Sequence, residues 1–344
     1  GHFKMNYNDD KKGRGAQINP HNRFLKGEFV REHWEGIDDA EVSRPETQFF
    51  NERAKKLVNK VSSPDVGMAY SMNPYQGCEH GCIYCYARPT HEYWGFSAGT
   101  DFESKIIVKH NAPQLLRTFF DKKTWRPAVI ALSGNTDCYQ PVERKLKITR
   151  QLLEICLEYR NPVGIITKNA LVLRDLDLLS ELAQRRLVRV AISFTTLNEK
   201  LRSVMEPRTA SSARRLAVMK QLSEAGVMVG IMTAPIIPGL NDHEIPKLIE
   251  SAANNGASTA GYTIVRLNGP NGKTFKDWVH KNFPDRASKV WNQILECHGG
   301  QVNDSRYGTR MSGEGKVSEA IRSLFKVSVR RFMPKNVDFA YDFS

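Results

Sequence analysis

The chain lacks any apolar run long enough to cross a bilayer. Its longest, residues 227–237 and 128–132, fall far short of the roughly 20 residues a spanning helix needs. No secretory hydrophobic stretch opens it, and the residues before Met5 read as an appended remnant that carries no fold information. Cysteine is scarce, six in 344 residues. Three of the six fall between positions 78 and 85 and the others stand alone at 138, 156 and 297. That argues against a disulfide framework and for a metal site in a reducing, cytoplasmic compartment. No helix-turn-helix or zinc-finger pattern is present, which excludes a dedicated sequence-reading DNA module. Acid is short relative to base: 37 Asp and Glu face 50 Lys and Arg, a net charge of +13. Such a surface favours an anionic partner, nucleic acid among them, without saying which, and a merely solvated basic surface explains it equally well.

What is present falls into three stretches. Residues 1–65 are polar and Gly/Asn/Arg-rich, an arm expected either to wrap the core or to stay mobile, with residues 11–16 against a charged ligand in the first case. Residues 66–267 alternate strand and helix signals. Strands are expected at 68–75, 127–132, 163–167, 188–194, 227–237 and 262–267, and helices at 148–159, 176–187, 211–225 and 244–253. Such βα units build a parallel sheet, open or partly closed into a barrel, with ligands at the C-terminal strand ends. Residues 268–344 read as a helical extension (275–283, 287–297, 317–325) placed to cover the barrel mouth.

The chemistry concentrates in Gly77-Cys78-Glu79-His80-Gly81-Cys82-Ile83-Tyr84-Cys85-Tyr86-Ala87-Arg88. Three soft thiolates suit iron–sulfur or zinc, not calcium or magnesium. Gly77 and Gly81 permit the tight turns that aim all three inward. A structural zinc site wants four protein ligands and would have to recruit His80, Cys297 or His298. Three cysteines with no adjacent fourth leave a coordination position open for a ligand.

The spacing Cys78-x3-Cys82-x2-Cys85, with Tyr84 before the last cysteine, resembles the signature of the radical S-adenosylmethionine superfamily. The tail Tyr84-Cys85-Tyr86-Ala87-Arg88 is similar to the branch related to spore photoproduct lyase. The arm (Arg14-Gly15-Ala16, Asn19-Pro20, Asn22-Arg23-Phe24) and the run from Thr136 to Glu143 resemble a subgroup of that branch with unassigned function. The resemblance implies an α/β fold, a partial (β/α)6 TIM-like barrel. It implies a [4Fe-4S] cluster on Cys78, Cys82 and Cys85, S-adenosylmethionine on the fourth iron, and a low-potential reductant such as flavodoxin or ferredoxin. One-electron cleavage would then give a 5′-deoxyadenosyl radical that abstracts hydrogen from a substrate.

Cofactor contacts are sought at the strand ends. Ser133, Gly134, Asn135 and Thr136 follow the 127–132 strand and offer backbone carbonyls or side chains to the methionine amino group; the alternative is an ordinary turn capped by Thr136 or Asp137. Lys168 can meet a carboxylate or sugar hydroxyl, and Ser193 the ribose. Arg208 can clamp a carboxylate or be braced by Glu206. Pro235 and Ile237 open a stiff wall for the adenine, or a tight strand-to-helix connection. Tyr84 is a further cofactor contact. Cys138, with Tyr139 beside it, is the candidate hydrogen-atom donor; the alternative is a small apolar core side chain.

Two substrate readings compete: a nucleic acid lesion held by basic and aromatic residues, with Arg306 and Arg310 on phosphates, or a small molecule or peptide. A third, non-enzymatic reading is a nucleic-acid-binding protein with a structural metal, which predicts four protein ligands.

Overall fold

A computed structural model describes residues 11, 13–24, 46–65 and 67–344. Lys12, the residues up to Met5 and much of the expected arm lie outside the described residues. In chain order the described strands begin with β1 (Gln48–Asn51), β2 (Val58–Lys60), β3 (Tyr70–Met72), β4 (Tyr75–Gln76) and β5 (Lys105–Val108). Then come β6 (Ile130–Leu132), β7 (Val163–Thr167), β8 (Val188–Ser193), β9 (Met228–Ile236) and β10 (Thr259–Ile264).

The main sheet runs β10-β9-β8-β7-β6-β3-β2. The six strands from β3 to β10 pair in parallel, and β2 adds one antiparallel edge on β3. This is the expected α/β partial barrel of six parallel strands. One face of β7 and β8 is buried and the other half-buried, which is why both are written mostly in Val, Ile, Ala and Gly. Helices Ile148–Glu158, Leu176–Gln184, Ser212–Glu224 and Ile245–Asn254 fall within a few residues of their expected positions. Ser211 caps its helix by accepting from the Arg214 N–H.

Two parts depart from expectation. A small sheet, β1-β5-β4, stands beside the barrel. Its β1 is exposed at every position, so no alternation of apolar and polar residues marks it in the sequence. The last helix, Gly315–Phe332, is longer than predicted. It packs on helix Ile245–Asn254, and Phe325 meets Tyr262 with ring centroids 4.5 Å apart. Among the described residues no helix is long and apolar enough to cross a membrane.

The described part of the arm is pinned to the core. Arg14 donates to the Glu103 carbonyl at 2.6 Å, and the N–H groups of Gly15 and Ala16 donate to the Glu103 carboxylate at 3.0 and 2.7 Å. A Cβ on Gly15 would lie 1.7 Å from the Gly81 carbonyl oxygen, so only glycine lets the arm press on the cysteine loop. Farther along, Asn22 donates to the carbonyls of Glu92 and Phe96.

His91 lies buried between Phe96 and Phe102 on the outer side of this loop. Burial pushes its pKa down to about 4. The fold therefore holds it neutral, and its contribution is intact above the ordinary value near 6.5. That contribution is lost as pH falls from there toward 4, by about 3 kcal/mol in all. Denaturant midpoints measured against pH should fall through this window in the wild type and flatten in His91→Leu; an unchanged slope would place the titration elsewhere.

Candidate active site

The C-terminal ends of the parallel strands open onto one cavity of about 680 Å³, within the ~300–1,000 Å³ range of small-molecule sites. Cys78, Cys82 and Cys85 line it together with Ser133, Gly134, Asn135 and Thr136 after β6, Lys168 after β7, Ser193 on β8 and Pro235 on β9. Parallel strands collect residues distant in sequence at one rim, and here that rim carries nearly all the polar strand-end residues.

The cysteine loop is held from three sides. Gly77 and Gly81 sit at φ 76° and 68°, as the turns require. From one side, Arg88 donates to the Cys82 carbonyl at 3.0 and 2.8 Å and pairs with Glu103, both side chains fully buried. From a second, Gln140 accepts from the Glu79 N–H and donates to the Gly77 carbonyl, while Glu79 accepts from the Val142 N–H. From below, Asp137 accepts from the Thr167 hydroxyl and the Lys168 N–H, both at 2.8 Å, and lies 3.4 Å from His80 Nδ1. Burial alone would raise the Asp137 carboxyl; the His80 ring and the Lys168 and Tyr139 N–H groups hold it down at about 2.

All six cysteines are free thiols. Burial pushes Cys78 well up, and the N–H groups of Asp137 and His80 act against that rise. Burial also pushes Cys82 up to about 12, against the pull of the Lys168 ammonium. Buried thiols of this kind become thiolates when a cationic centre joins them. Among the described residues no three His, Cys, Asp or Glu side chains gather closely enough to share one ion. Three cysteines on one cavity, with a coordination position left over, suit a multi-iron cluster in which each thiolate takes its own iron. Of the residues a zinc site would recruit, His80 alone lines the cavity, with its ring 3.4 Å from Asp137 and 3.1 Å from Asn169. His298 Nε2 is engaged by the Val265 carbonyl at 2.7 Å, and Cys297 is buried in the core.

Residues 72–252, the stretch that builds this rim, match the family model of the Radical SAM superfamily. The chain belongs to that superfamily. An uncharacterized protein of Mycobacterium tuberculosis is 34% identical over 238 residues, 68% of this chain and 70% of its own length. Another, from Methanocaldococcus jannaschii, is 30% identical over 241 residues, 70% of this chain and 86% of its own. A solved structure of spore photoproduct lyase complexed with dinucleoside spore photoproduct shares the fold. Its TM-score is 0.60 at 16% identity, over 83% of this chain and 80% of that one. This chain is thus a radical S-adenosylmethionine enzyme with a [4Fe-4S] cluster and S-adenosylmethionine as cofactors, and the donor set described above fits them.

Several expected site residues stand elsewhere than the strand order suggested. Cys138 and Tyr139 do not reach the cavity. The turn at Asp137 sends both into the core, where Cys138 is fully buried and the Tyr139 hydroxyl donates to Asp175 at 3.0 Å. Glu206 is also sealed, holding Tyr84, Thr195 and Arg215 behind the cavity wall. Burial alone would raise Glu206; Arg215 and Lys168 hold it at about 2. Arg208 neither pairs with Glu206 nor faces the cavity, because its Nε donates to the Gly13 carbonyl. Ile237 packs in a second apolar cluster, with its N–H on Asn241. Tyr84 does line the cavity, with Lys168 Nζ 5.9 Å from its ring centre.

Further residues shape and complete the rim. Asn73 accepts from the Asn135 N–H and shapes that loop, in which Ser133 adopts a left-handed φ of 85°. Tyr86 donates to the Gly134 carbonyl. Arg266, just past β10, also reaches the cavity; its signal was the alternation Val265-Arg266-Leu267, one charged residue between two buried ones.

Proposed function

We propose that Cys78, Cys82 and Cys85 hold the cluster, that S-adenosylmethionine lies across the strand ends, and that the reaction acts on a damaged nucleotide. The observation that carries this reading is the sharing of one cavity by the three cysteines and residues 133–136, Lys168, Ser193 and Pro235. Three protein thiolates leave one coordination position for the methionine amino and carboxylate groups. Lys168 keeps its charge in spite of burial because Cys82, Glu206 and Asp137 surround it, and it supplies a cation for that carboxylate. Ser193 and the Pro235 wall stand on the next two strands, where a ribose and an adenine follow. Bound together, the cluster and S-adenosylmethionine supply one-electron cleavage of the S–C5′ bond and a 5′-deoxyadenosyl radical that takes a hydrogen atom from the substrate.

The chain's own part is to orient and to shield. The clamps on the cysteine loop fix the thiolates, and the apolar strand interiors keep water from the reacting carbon. A low-potential protein of the flavodoxin or ferredoxin kind supplies the electron. Cysteines with no disulfide among them suit a reducing, cytoplasmic setting.

On the substrate side, Tyr86 and Tyr307 are half exposed near Arg266 and Arg310. Aromatic faces beside cations suit an unstacked base. The +13 charge favours a polyanion. The structural relative was solved with a dinucleoside lesion. Loaded enzyme given S-adenosylmethionine and a reductant should form 5′-deoxyadenosine faster with ultraviolet-damaged DNA than with intact DNA. Equal rates with damaged, intact and no DNA would contradict the lesion reading and favour a small molecule or peptide.

A further inference from the structure

At the cavity mouth the chain holds a cation with no directly bonded anion among the described residues. β10 ends at Ile264, and the backbone beyond it is fixed: the Val265 N–H donates to the Ile236 carbonyl at 2.9 Å and the Leu267 N–H to the Val302 carbonyl at 2.8 Å. Val265 and Leu267 are both buried in the apolar cluster behind the strand end. Arg266 between them faces the opposite way, into the mouth. Among the described residues its guanidinium makes no hydrogen bond and no ion pair; its closest partner is the Tyr86 ring, 6.0 Å from Cζ. Its nearest like charge is Arg310, and burial together with that neighbour pushes the Arg266 pKa down.

Arg310 is differently placed. Its Nε pairs with Asp65 at 2.7 Å, its other end donates to Ser63, and it lies over Tyr307 at 4.6 Å. The nearby carboxylate is thus bonded to Arg310, and it opposes the fall in the Arg266 pKa without contacting Arg266. A half-buried cation beside another cation is costly until an anion joins it. A guanidinium offers two parallel donors that match a phosphate or a carboxylate. The flanking tyrosines supply faces on which a base can stack, and this decides between the two anions in favour of a nucleic acid phosphate.

We propose that Arg266, with Arg310 beside it, is an anion clamp that seats a backbone phosphate of the substrate strand at the cavity mouth. This rests on the nucleic-acid reading above and adds its recognition element. The cofactor's carboxylate is the other source of the same anion chemistry, and the experiment separates the two.

Fluorescence anisotropy of a labelled single-stranded oligodeoxynucleotide, over a salt series, compares the reconstituted full-length wild type with Arg266→Met and Arg266→Lys. Arg266→Met should bind about 10-fold more weakly, the loss of one charge-assisted contact. Its log–log salt slope should fall by about one. Arg266→Lys should recover the slope without the full affinity, and calorimetry should find S-adenosylmethionine binding retained in both variants. Equal oligonucleotide affinity in wild type and Arg266→Met would overturn the clamp. So would a selective loss of S-adenosylmethionine binding, which would assign Arg266 to the cofactor. If the wild type binds no oligonucleotide, the nucleic-acid reading fails by itself and pyrophosphate judges the clamp. A thermal upshift seen in the wild type and absent from Arg266→Met sustains an anion site; the same response in both proteins overturns it.

Discussion

Arg88→Met is expected to cost about 3–5 kcal/mol of stability and to leave the protein unable to retain iron. Arg88 and Glu103 are an ion pair fully buried in the core. Removing one partner strands the other charge away from water, the most damaging way to lose such a pair. This pair also does more than cancel charge. Arg88 carries the Cys82 carbonyl and the Gly99 carbonyl, and Glu103 carries the N–H groups of Gly15 and Ala16. The cysteine loop, the arm and the segment before β5 thus meet at one pair. The double variant Arg88→Met/Glu103→Leu removes both charges and should recover much of the stability, since a buried pair is often no better than apolar residues of similar volume. It should not recover iron, because the Cys82 carbonyl and the arm remain untied. Denaturant midpoints and iron content measured together check this. A double variant that keeps wild-type iron would show that the clamp does not shape the loop.

Cys82→Ala is expected to lose the cluster almost entirely, with iron content and sulfur-to-iron charge-transfer absorbance falling to background after anaerobic reconstitution. The same loss is expected for Cys78→Ala and Cys85→Ala, because no fourth thiol lines the cavity. Among the described residues no alternative trio of metal-binding side chains is gathered, and Cys138, Cys156 and Cys297 are all buried in the core. Cys138→Ala therefore serves as the control. It should keep its iron and lose only the small packing contribution of a buried thiol, about 1 kcal/mol. Loss of iron from Cys138→Ala equal to that from Cys82→Ala would mean that the cavity assignment is wrong.

How much of this was legible in the sequence follows from which forces leave a local trace. β7, at residues 163–167, was read to the residue because a strand buried on one face and half-buried on the other is written mostly in small and branched apolar residues. The cysteine loop was legible because thiol spacing and two glycines are local requirements. Strand-end residues 133–136, Lys168 and Ser193 followed from the βα rhythm, since parallel strands all deliver their C-terminal ends to one rim. Side-chain direction beyond a strand end was not legible. Cys138 lies one residue past Asp137, and whether it faces the rim or the core depends on the bonds Asp137 accepts from Thr167 and Lys168 at the end of β7 and on its pairing with His80, residues distant in sequence. Glu206 and Arg208 looked like a pair because they are two apart. Glu206 instead found Arg215, nine residues on in the next helix, and Arg208 found the arm. Long-range polar pairing carries no sequence period, so such partners emerge only once the chain is folded.

The central claim is that three cysteines, with no fourth protein ligand, make a place where S-adenosylmethionine is bound and cleaved. The most direct measurement is the amount of 5′-deoxyadenosine formed by anaerobically reconstituted protein given S-adenosylmethionine and a one-electron reductant. The account predicts product from the wild type and none from Cys78→Ala, Cys82→Ala or Cys85→Ala. A wild type that carries a full [4Fe-4S] complement and still forms no 5′-deoxyadenosine would contradict it.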